Sequence, residues 1–546
     1  MKNFKYLPDK AIVFSLVAIS LLVVLLPIFI GGIWSGHDWK PHALRLASLN
    51  SQITHGQFPF TFDFWTNGQF GYAWSLFYPP LTSFMMLISY PLYFVTGSDI
   101  FQIKAIFACG IILAFFNSYY AGKQFLKLDK PAFISAIFFI LSPYLISDIY
   151  IRFSLGEVYA MAFLPLFLVA SYKMISNRGG NVLFILSSSL IFLSNIPSVI
   201  VAVILFFVLL LTIKKKNYLH ISKHLLINSF LIILLCFFYI YPLFYNFLHS
   251  DIYAFTEMGK SFDDMYLFNP EIYESLLQIP TSTGKSGRGL LLSIGIIPLI
   301  ISTICFFSTK NPKIKILSAS SLILILLSTK AFPWYLFSDH IPIFPAIQFP
   351  WRLLAAAAIC ASITSSYYLS SRNNFTVALV ILIFISMSMQ GMYNAVKYRH
   401  SEMMKDVLYF DYLNMNAAKN KVKLQKLNLE KSHSIELLSY SNGYPSYTID
   451  ATNDSSIILP IIYYYGYYVD IDGKRSTVEK SSLGLVSFDL KAGKHTVSLK
   501  YNDNYIYLGG VVSFLTLLIL SIYFLSNRFK FKNLNIRDVI NVKAKG

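Results

Sequence analysis

Apolar runs long enough to cross a bilayer recur along almost the whole chain, and no other feature constrains its fold so tightly. They start at 11–33 and finish at 504–526, and most approach the ~18–20 residues that the hydrocarbon core demands. With 55% hydrophobic and only 13% charged residues among 546, and a mean hydropathy of +0.56, the sequence cannot make a soluble globule. It reads as a polytopic α-helical membrane protein. The run from Ala11 to about Gly32 is too long for a signal-peptide core, and no small-x-small cleavage site follows it, so it is expected to stay as a span.

The formal charge of +18 would suit a nucleic-acid partner, but the basic residues fall mostly in short loops between apolar runs. That is the pattern that orients helices in a membrane, and no nucleic acid is expected. If the N-terminus with Lys2, Lys5 and Lys10 is cytoplasmic, about twelve spans leave Lys123/Lys127/Lys130, Lys173/Arg178, Lys214–Lys216, Lys310/Lys313/Lys315, Arg372 and the basic tail from Arg528 on the same side. A thirteenth crossing at 78–96 would break the series. That run opens on Tyr78-Pro79-Pro80 and is interrupted at Pro91, so it reads as re-entrant or interfacial. Both termini are then cytoplasmic, and the long hydrophilic connections 34–103, 148–156, 247–287 and 333–350 lie outside.

The chain divides into a multi-span region, 1–392, a soluble outer region, 393–503, and a last span with a basic cytoplasmic tail, 504–546. Residues 400–435 are charged and partly helical in pattern. Beyond them apolar and polar residues alternate, with hairpin signals at Asp472-Gly473 and Ala492-Gly493-Lys494, which predicts a separate β-sandwich-like domain. Cys109, Cys236, Cys305 and Cys360 all sit in apolar runs, as small hydrophobes rather than as a disulfide or metal framework.

The densest ionisable cluster of the N-terminal third follows the first span, Gly36-His37-Asp38-Trp39-Lys40-Pro41-His42-Ala43-Leu44-Arg45. Asp38, His42 and Arg45 fall on one helical face at the membrane surface, where acid–base chemistry on a lipid-borne substrate is feasible. The spacing alone favours a plainer role for Asp38, a helix N-cap ahead of a first-turn proline. The crowd of His37, His42 and Arg45 is more than a cap needs. Asp148, Arg152 and Glu157 form a second group. Ionisable residues at that depth are functional or paired, and an Arg152–Glu157 or Arg152–Asp148 anchor is the competing reading. Arg352, after Pro350-Trp351 at a span end, can fork onto a lipid phosphate or simply snorkel to the headgroups. Asn195-Ile196-Pro197 reads as a turn, Asp263-Asp264 as a solvated turn sooner than a metal pair, Lys285–Arg288 equally as a holder of an anionic donor or as an ordinary basic loop, and Tyr463–Tyr468 as sheet and interface packing ahead of sugar stacking.

A run of short motifs resembles a known family. After Asp38 with its His42–Arg45 pair come Gly56-Gln57-Phe58-Pro59, Gly71-Tyr72 and Phe77-Tyr78-Pro79-Pro80-Leu81. Arg152-Phe153-Ser154-Leu155-Gly156-Glu157, Leu164-Pro165-Leu166, Gln348-Phe349-Pro350-Trp351-Arg352, Asp470-Ile471-Asp472-Gly473 and Ala492-Gly493-Lys494-His495 follow in order. The sequence resembles bacterial 6-pyruvoyl-tetrahydropterin synthase-related membrane domain proteins, which are similar to YfhO-like GT-C membrane glycosyltransferases. No His-x-His zinc arrangement accompanies the motifs, so pterin chemistry carries little weight.

The resemblance implies a GT-C-like membrane domain and transfer of a sugar from a polyprenyl-phosphate donor, on the outer face of the cell membrane, to a cell-envelope polymer or glycolipid. Asp38 would be the base and His42 its orienting partner. Glu157 would position the acceptor or a metal, and Arg352, Arg152 and Arg45 would bind the donor phosphate. No cofactor follows from the sequence, and a divalent metal stays open. The competing classes are a flippase or transporter of a lipid-linked saccharide, which needs polar groups deep in several spans, and a non-enzymatic envelope assembly protein.

Overall fold

The computed structural model describes residues 9–543 apart from 214–216, 257–268, 282–288, 339–343, 403–408 and 427–434. Asp263-Asp264, Lys285–Arg288 and Lys214–Lys216 lie outside the described residues. Numbering the helices of twelve residues or more, the chain runs α1 (Asp9–Phe29), α2 (Trp39–Thr54), α3 (Leu81–Thr96), α4 (Asp99–Leu126), α5 (Asp129–Ile140) and α6 (Leu155–Ile175). It continues through α7 (Asn181–Ser194), α8 (Ile196–Thr212), α9 (Tyr218–Leu235), α10 (Phe237–His249), α11 (Ile296–Ser308), α12 (Pro312–Leu327), α13 (Leu353–Ser370), α14 (Asn374–Lys397) and α15 (Asn504–Lys543).

Among the described residues seven helical segments are long and apolar enough to cross a membrane, and the bent pair Asp129–Ile140 and Pro143–Arg152 adds an eighth if it is one span. This is a multi-pass membrane protein. The expectation of about twelve spans treated shorter runs as full crossings. Three of these form α7, α8 and α11, with 14, 17 and 13 residues. At 1.5 Å per residue these reach roughly 20–26 Å, short of a ~30 Å core. The segment expected to be re-entrant contains α3, a continuous 16-residue helix despite Pro91, with Ile88, Phe94 and Val95 exposed.

Local chemistry sets the helix ends. Ser98 accepts a hydrogen bond from Phe101 N–H at the start of α4 (3.2 Å), and Lys127 closes its other end in a left-handed conformation. Asn195, the expected turn residue, ends α7 and caps α8 by accepting from Ser198 N–H (3.1 Å). In α13 the run Ala355–Ala358 is fully packed, and small side chains there let α5, α6 and α12 come close.

The C-terminal region is a two-sheet antiparallel sandwich. Strands β3 (Ile435–Ser441), β4 (Tyr444–Ala451), β10 (Gly493–Tyr501), β6 (Tyr467–Ile471) and β7 (Lys474–Thr477) form one sheet in the order β3-β4-β10-β6-β7. The other is β5 (Ser455–Ile462), β9 (Leu485–Leu490) and β8 (Glu479–Lys480). Asp472-Gly473 makes the expected hairpin, both residues having positive φ, as a two-residue β6–β7 turn requires. Ala492-Gly493-Lys494 does not, because β9 and β10 belong to different sheets and the glycine turns a corner between them.

Expected to be separate, this region is instead docked on the rest of the chain. Strand β1 (Ile33–Trp34) pairs with β2 (Arg399–His400), and Arg399 donates to the carbonyls of Pro27, Ile30, Gly31 and Gly32 beyond and within the end of α1. Phe62, from the loop after α2, packs among Tyr444, Tyr464, Tyr467 and Tyr501, and Ile462 N–H bonds Phe70 O at 2.7 Å. Of the Tyr463–Tyr468 run, Tyr467 and Tyr468 lie in strand β6, Tyr464 and Tyr467 pack on Phe62, and Tyr465 stacks on His249 at the interface with α10.

Candidate active site

Asp38 is held in place by its backbone. Residues 33–38 lie along a π-helical turn, Asp148–Arg152, through His37 N–H to Ile151 O (3.0 Å), Asp38 N–H to Arg152 O (2.8 Å) and the Trp34 indole to Ile149 O (2.9 Å). Gly36 permits the approach, since a Cβ there would stand 2.6 Å from Phe153 Cβ. Asp38 stands at the N-cap position of α2, yet its side chain makes no capping bond. Among the described residues the half-buried carboxylate has no hydrogen bond or ion pair, while Tyr78, Arg152, Tyr409 and Asp411 lie within its electrostatic reach. The cap that the spacing favoured is not formed.

His42 and Arg45 share the buried side of α2, but they do not serve Asp38 as expected. The His42 ring meets Tyr78 edge-on at 5.9 Å and tilts against Phe153 at 6.2 Å, and its Nδ1 has no partner. His42 is therefore no orienting partner of Asp38. Burial, and then the nearby Arg45 charge, hold its pKa well below the usual 6.5, so the ring is neutral. The Arg45 guanidinium lies over the Tyr78 ring, 3.7 Å from its centroid, with Tyr412 at 5.9 Å. Asp411 faces the same guanidinium. Burial raises its carboxyl pKa, Arg45 opposes the rise and Asp38 adds to it. Sequence reasoning missed Asp411 and its neighbours Tyr409 and Tyr412. Their signal was an acid set among aromatics in Tyr409-Phe410-Asp411-Tyr412.

Below this layer is a buried ion network. The segment 148–156, expected as an outer loop, is instead a π turn running into α6, and it is buried throughout. Arg152 Nη1 donates to Asp148 Oδ1 at 2.6 Å and to Glu157 Oε2 at 2.7 Å. Arg352 Nε stands 3.1 Å from the same Glu157 oxygen without hydrogen-bond alignment, and its Nη1 donates to Ile347 O at 2.9 Å. The Tyr144 hydroxyl donates to Glu157 Oε1. Two arginines and two carboxylates thus balance, which is the condition for keeping four charges out of water.

Both anchors expected for Arg152 coexist. Arg352 is 5% exposed, so it does not snorkel to headgroups. Glu157 is 1% exposed with both oxygens engaged, which leaves it unable to hold an acceptor or a metal as expected. Among the described residues no three His, Cys, Asp or Glu side chains are arranged to take a metal ion. Arg152 is committed to two carboxylates, whereas Arg45 has no ion pair among the described residues. The chemistry on offer is a carboxylate uncommitted among the described residues and, two turns along the same helix, a stacked guanidinium that shares Tyr78 and Asp411 with it as neighbours, over a charge-balanced floor.

Residues 400–513 match the model of a family described as "Bacterial membrane protein YfhO". An uncharacterized protein of Lactococcus lactis subsp. cremoris (strain MG1363) is 23% identical over 348 residues, 59% of this chain and 54% of that protein. An uncharacterized protein YfhO of Bacillus subtilis (strain 168) is 25% identical over 93 residues, 17% of this chain and 11% of that protein. The chain thus spans about half the length of the first relative and a small part of the second. Among solved structures, the apo oligosaccharyltransferase of Archaeoglobus fulgidus is similar with a TM-score of 0.42 and 13% identity, covering 78% of this chain and 59% of that one.

Proposed function

We propose that this chain is a GT-C-type membrane glycosyltransferase, which moves a sugar from a polyprenyl-phosphate donor to a cell-envelope polymer or glycolipid on the outer face of the membrane. The observation that carries this reading is the Asp38 carboxylate, fixed by its own backbone and without a partner among the described residues, on the helix whose Arg45 is stacked on Tyr78. The ordered motifs from Asp38 to His495 support it from the sequence side.

In this reading an acceptor hydroxyl attacks the anomeric carbon as Asp38 takes its proton, and the bond from that carbon to the phosphate oxygen breaks with inversion. Polyprenyl phosphate departs carrying the electron pair. Arg45 meets the charge growing on the phosphate, with Arg352 behind it; a guanidinium already stacked and desolvated pays little to reorganise as that charge appears. Arg152 and Glu157 are positioning residues that hold the turn under Asp38. His42, neutral and buried, fills space between Tyr78 and Phe153.

The test is Asp38→Asn in the full-length protein in proteoliposomes, with release of labelled sugar from a polyprenyl-phosphate donor as the readout. Asparagine keeps size but accepts no proton. Transfer should fall ~10²–10⁴-fold, the usual worth of a general base, at unchanged abundance and melting temperature. Transfer at near the unmutated rate would remove Asp38 from the chemistry.

A further inference from the structure

We infer that the end of the bundle opposite Asp38 carries a binding site for a phosphate group, in a cavity ringed by Lys127, Lys173, Arg178 and Lys313. This inference does not depend on the glycosyltransferase reading. The cavity, of about 110 Å³, opens between the ends of α4 and α6 and the start of α12, and Gln124 and Tyr172 complete its polar lining. On the same measure one water needs ~10–15 Å³, so the space admits a group larger than a solvent molecule. Lys173 lies near the end of the helix whose first turn carries Glu157. At 1.5 Å per residue the two are ~24 Å apart, close to the thickness of a bilayer core.

Four cations converge here without an anion to match. Among the described residues none of the four makes an ion pair, and Asp129, the acid nearest in sequence, is held by Lys123 at 2.6 Å and by the Tyr119 hydroxyl. Lys127 lies within electrostatic reach of Lys173 and of Lys313, and Arg178 of Lys313, so the group repels itself as it stands.

Helix-end chemistry explains only half of the arrangement. Lys127 and Lys173 lie at helix C-termini, where a cation meets free carbonyls. Lys313 is in the first turn of α12, the positive end of a helix, where a cation gains nothing from the dipole. The backbone at these positions is specific too. Lys127 holds a left-handed conformation (φ 70°) that ordinarily falls to glycine or asparagine. Gly180 (φ 101°) lets the following turn pack against Lys173 and Ala170, and Arg178 N–H bonds Lys173 O at 2.8 Å. Topogenic charges need only lie in short loops, and convergence on one cavity goes beyond that. A guanidinium fork with lysine point charges is the donor set suited to a phosphate oxygen cluster, from a phospholipid headgroup or from free phosphate.

The experiment follows thermal unfolding of the purified full-length protein in neutral detergent during two titrations. One uses sodium phosphate, with chloride holding ionic strength constant. The other uses short-chain phosphatidylglycerol, with short-chain phosphatidylcholine as its uncharged control. A saturable rise in the unfolding midpoint is expected with a phosphate-bearing probe and not with phosphatidylcholine. The half-saturating concentration should rise about tenfold or more in the Arg178→Gln/Lys313→Gln double variant, and stay unchanged in Lys310→Gln, an exposed neighbouring lysine that does not line the cavity. Response to phosphatidylglycerol alone assigns the site to a lipid headgroup, and response to both probes or to phosphate alone assigns it to the phosphate group itself. No saturable shift with either probe, or equal weakening by Lys310→Gln, overturns the site.

Discussion

Asp38 and Glu157 both lie in the field of Arg152, yet only Glu157 is spent on it. That difference separates catalytic from structural carboxylates by experiment. Glu157→Gln leaves Arg152 and Arg352 buried against Asp148 alone, and breaking such a network costs ~3–5 kcal/mol. A clearly lowered melting temperature is expected, with a loss of sugar transfer per folded molecule smaller than that of Asp38→Asn, whereas Asp38→Asn should lose transfer at an unchanged melting temperature. His42 gives a third signature. Its folded-state pKa lies below the usual 6.5 while the unfolded chain takes up the proton near 6.5. The stability from a neutral His42 is therefore complete above about pH 6.5 and declines as pH falls toward the folded pKa, by at most ~1.4 kcal/mol per pH unit. His42→Phe should flatten the fall in unfolding midpoint between pH 7.5 and 5.5, and an unchanged slope would mean that the ring is not buried neutral. Asp38 stood out in the sequence because ionisable neighbours crowd it within two helical turns. Asp411 did not, because only the folded chain brings it to Arg45.

At the scale of elements, the site depends on the segment 33–38, which starts as strand β1 and turns into α2, laid on a π turn, and glycine makes that contact possible. Gly36→Ala would push a methyl into Phe153 Cβ and Arg152 C, each within 3 Å of the built position. The segment carrying Asp38 would have to lift off Arg152 O. Transfer should drop by an order of magnitude or more, as it does when reacting groups are misplaced by about 1 Å, while insertion into membranes continues. Full transfer in Gly36→Ala would show that the strand has slack. The long helices and the alternating strands were legible because their periods and lengths are local properties of the sequence. The π turn was not. Asp148–Arg152 reads as polar and therefore as a loop, and its burial goes with the pairing of Arg152 to Asp148 and Glu157, the last of which also meets Arg352 from some two hundred residues on. The hairpin at Asn442-Gly443 was also missed, although Asn-Gly between strands is a strong local signal. The corner at Gly493 was misassigned because a turn signal does not say which sheet the next strand will join.

For the whole molecule, the pairing of β1 with β2 and the packing of Phe62 into the sandwich place Asp38, the loop after α2 and residues 435–501 on one face. The basic cavity and Asn217 belong to the other, since α8 begins beside Gly156 at the site and Asn217 follows its far end. One labelling experiment therefore orients everything at once. Single cysteines at Ser51 and Ser482 should react with an impermeant thiol reagent in intact cells, and one at Asn217 should react only after the membrane is opened. The native cysteines contribute little background, because Cys236, Cys305 and Cys360 are buried and Cys109 is partly so. Ser51 and Ser482 must respond alike, since the fold ties their regions together; a split between them would contradict the docked sandwich rather than the orientation. Labelling of Asn217 with protection of both serine positions would invert the chain. Asp38 would then face the cytoplasm, and transfer on the outer face would be ruled out.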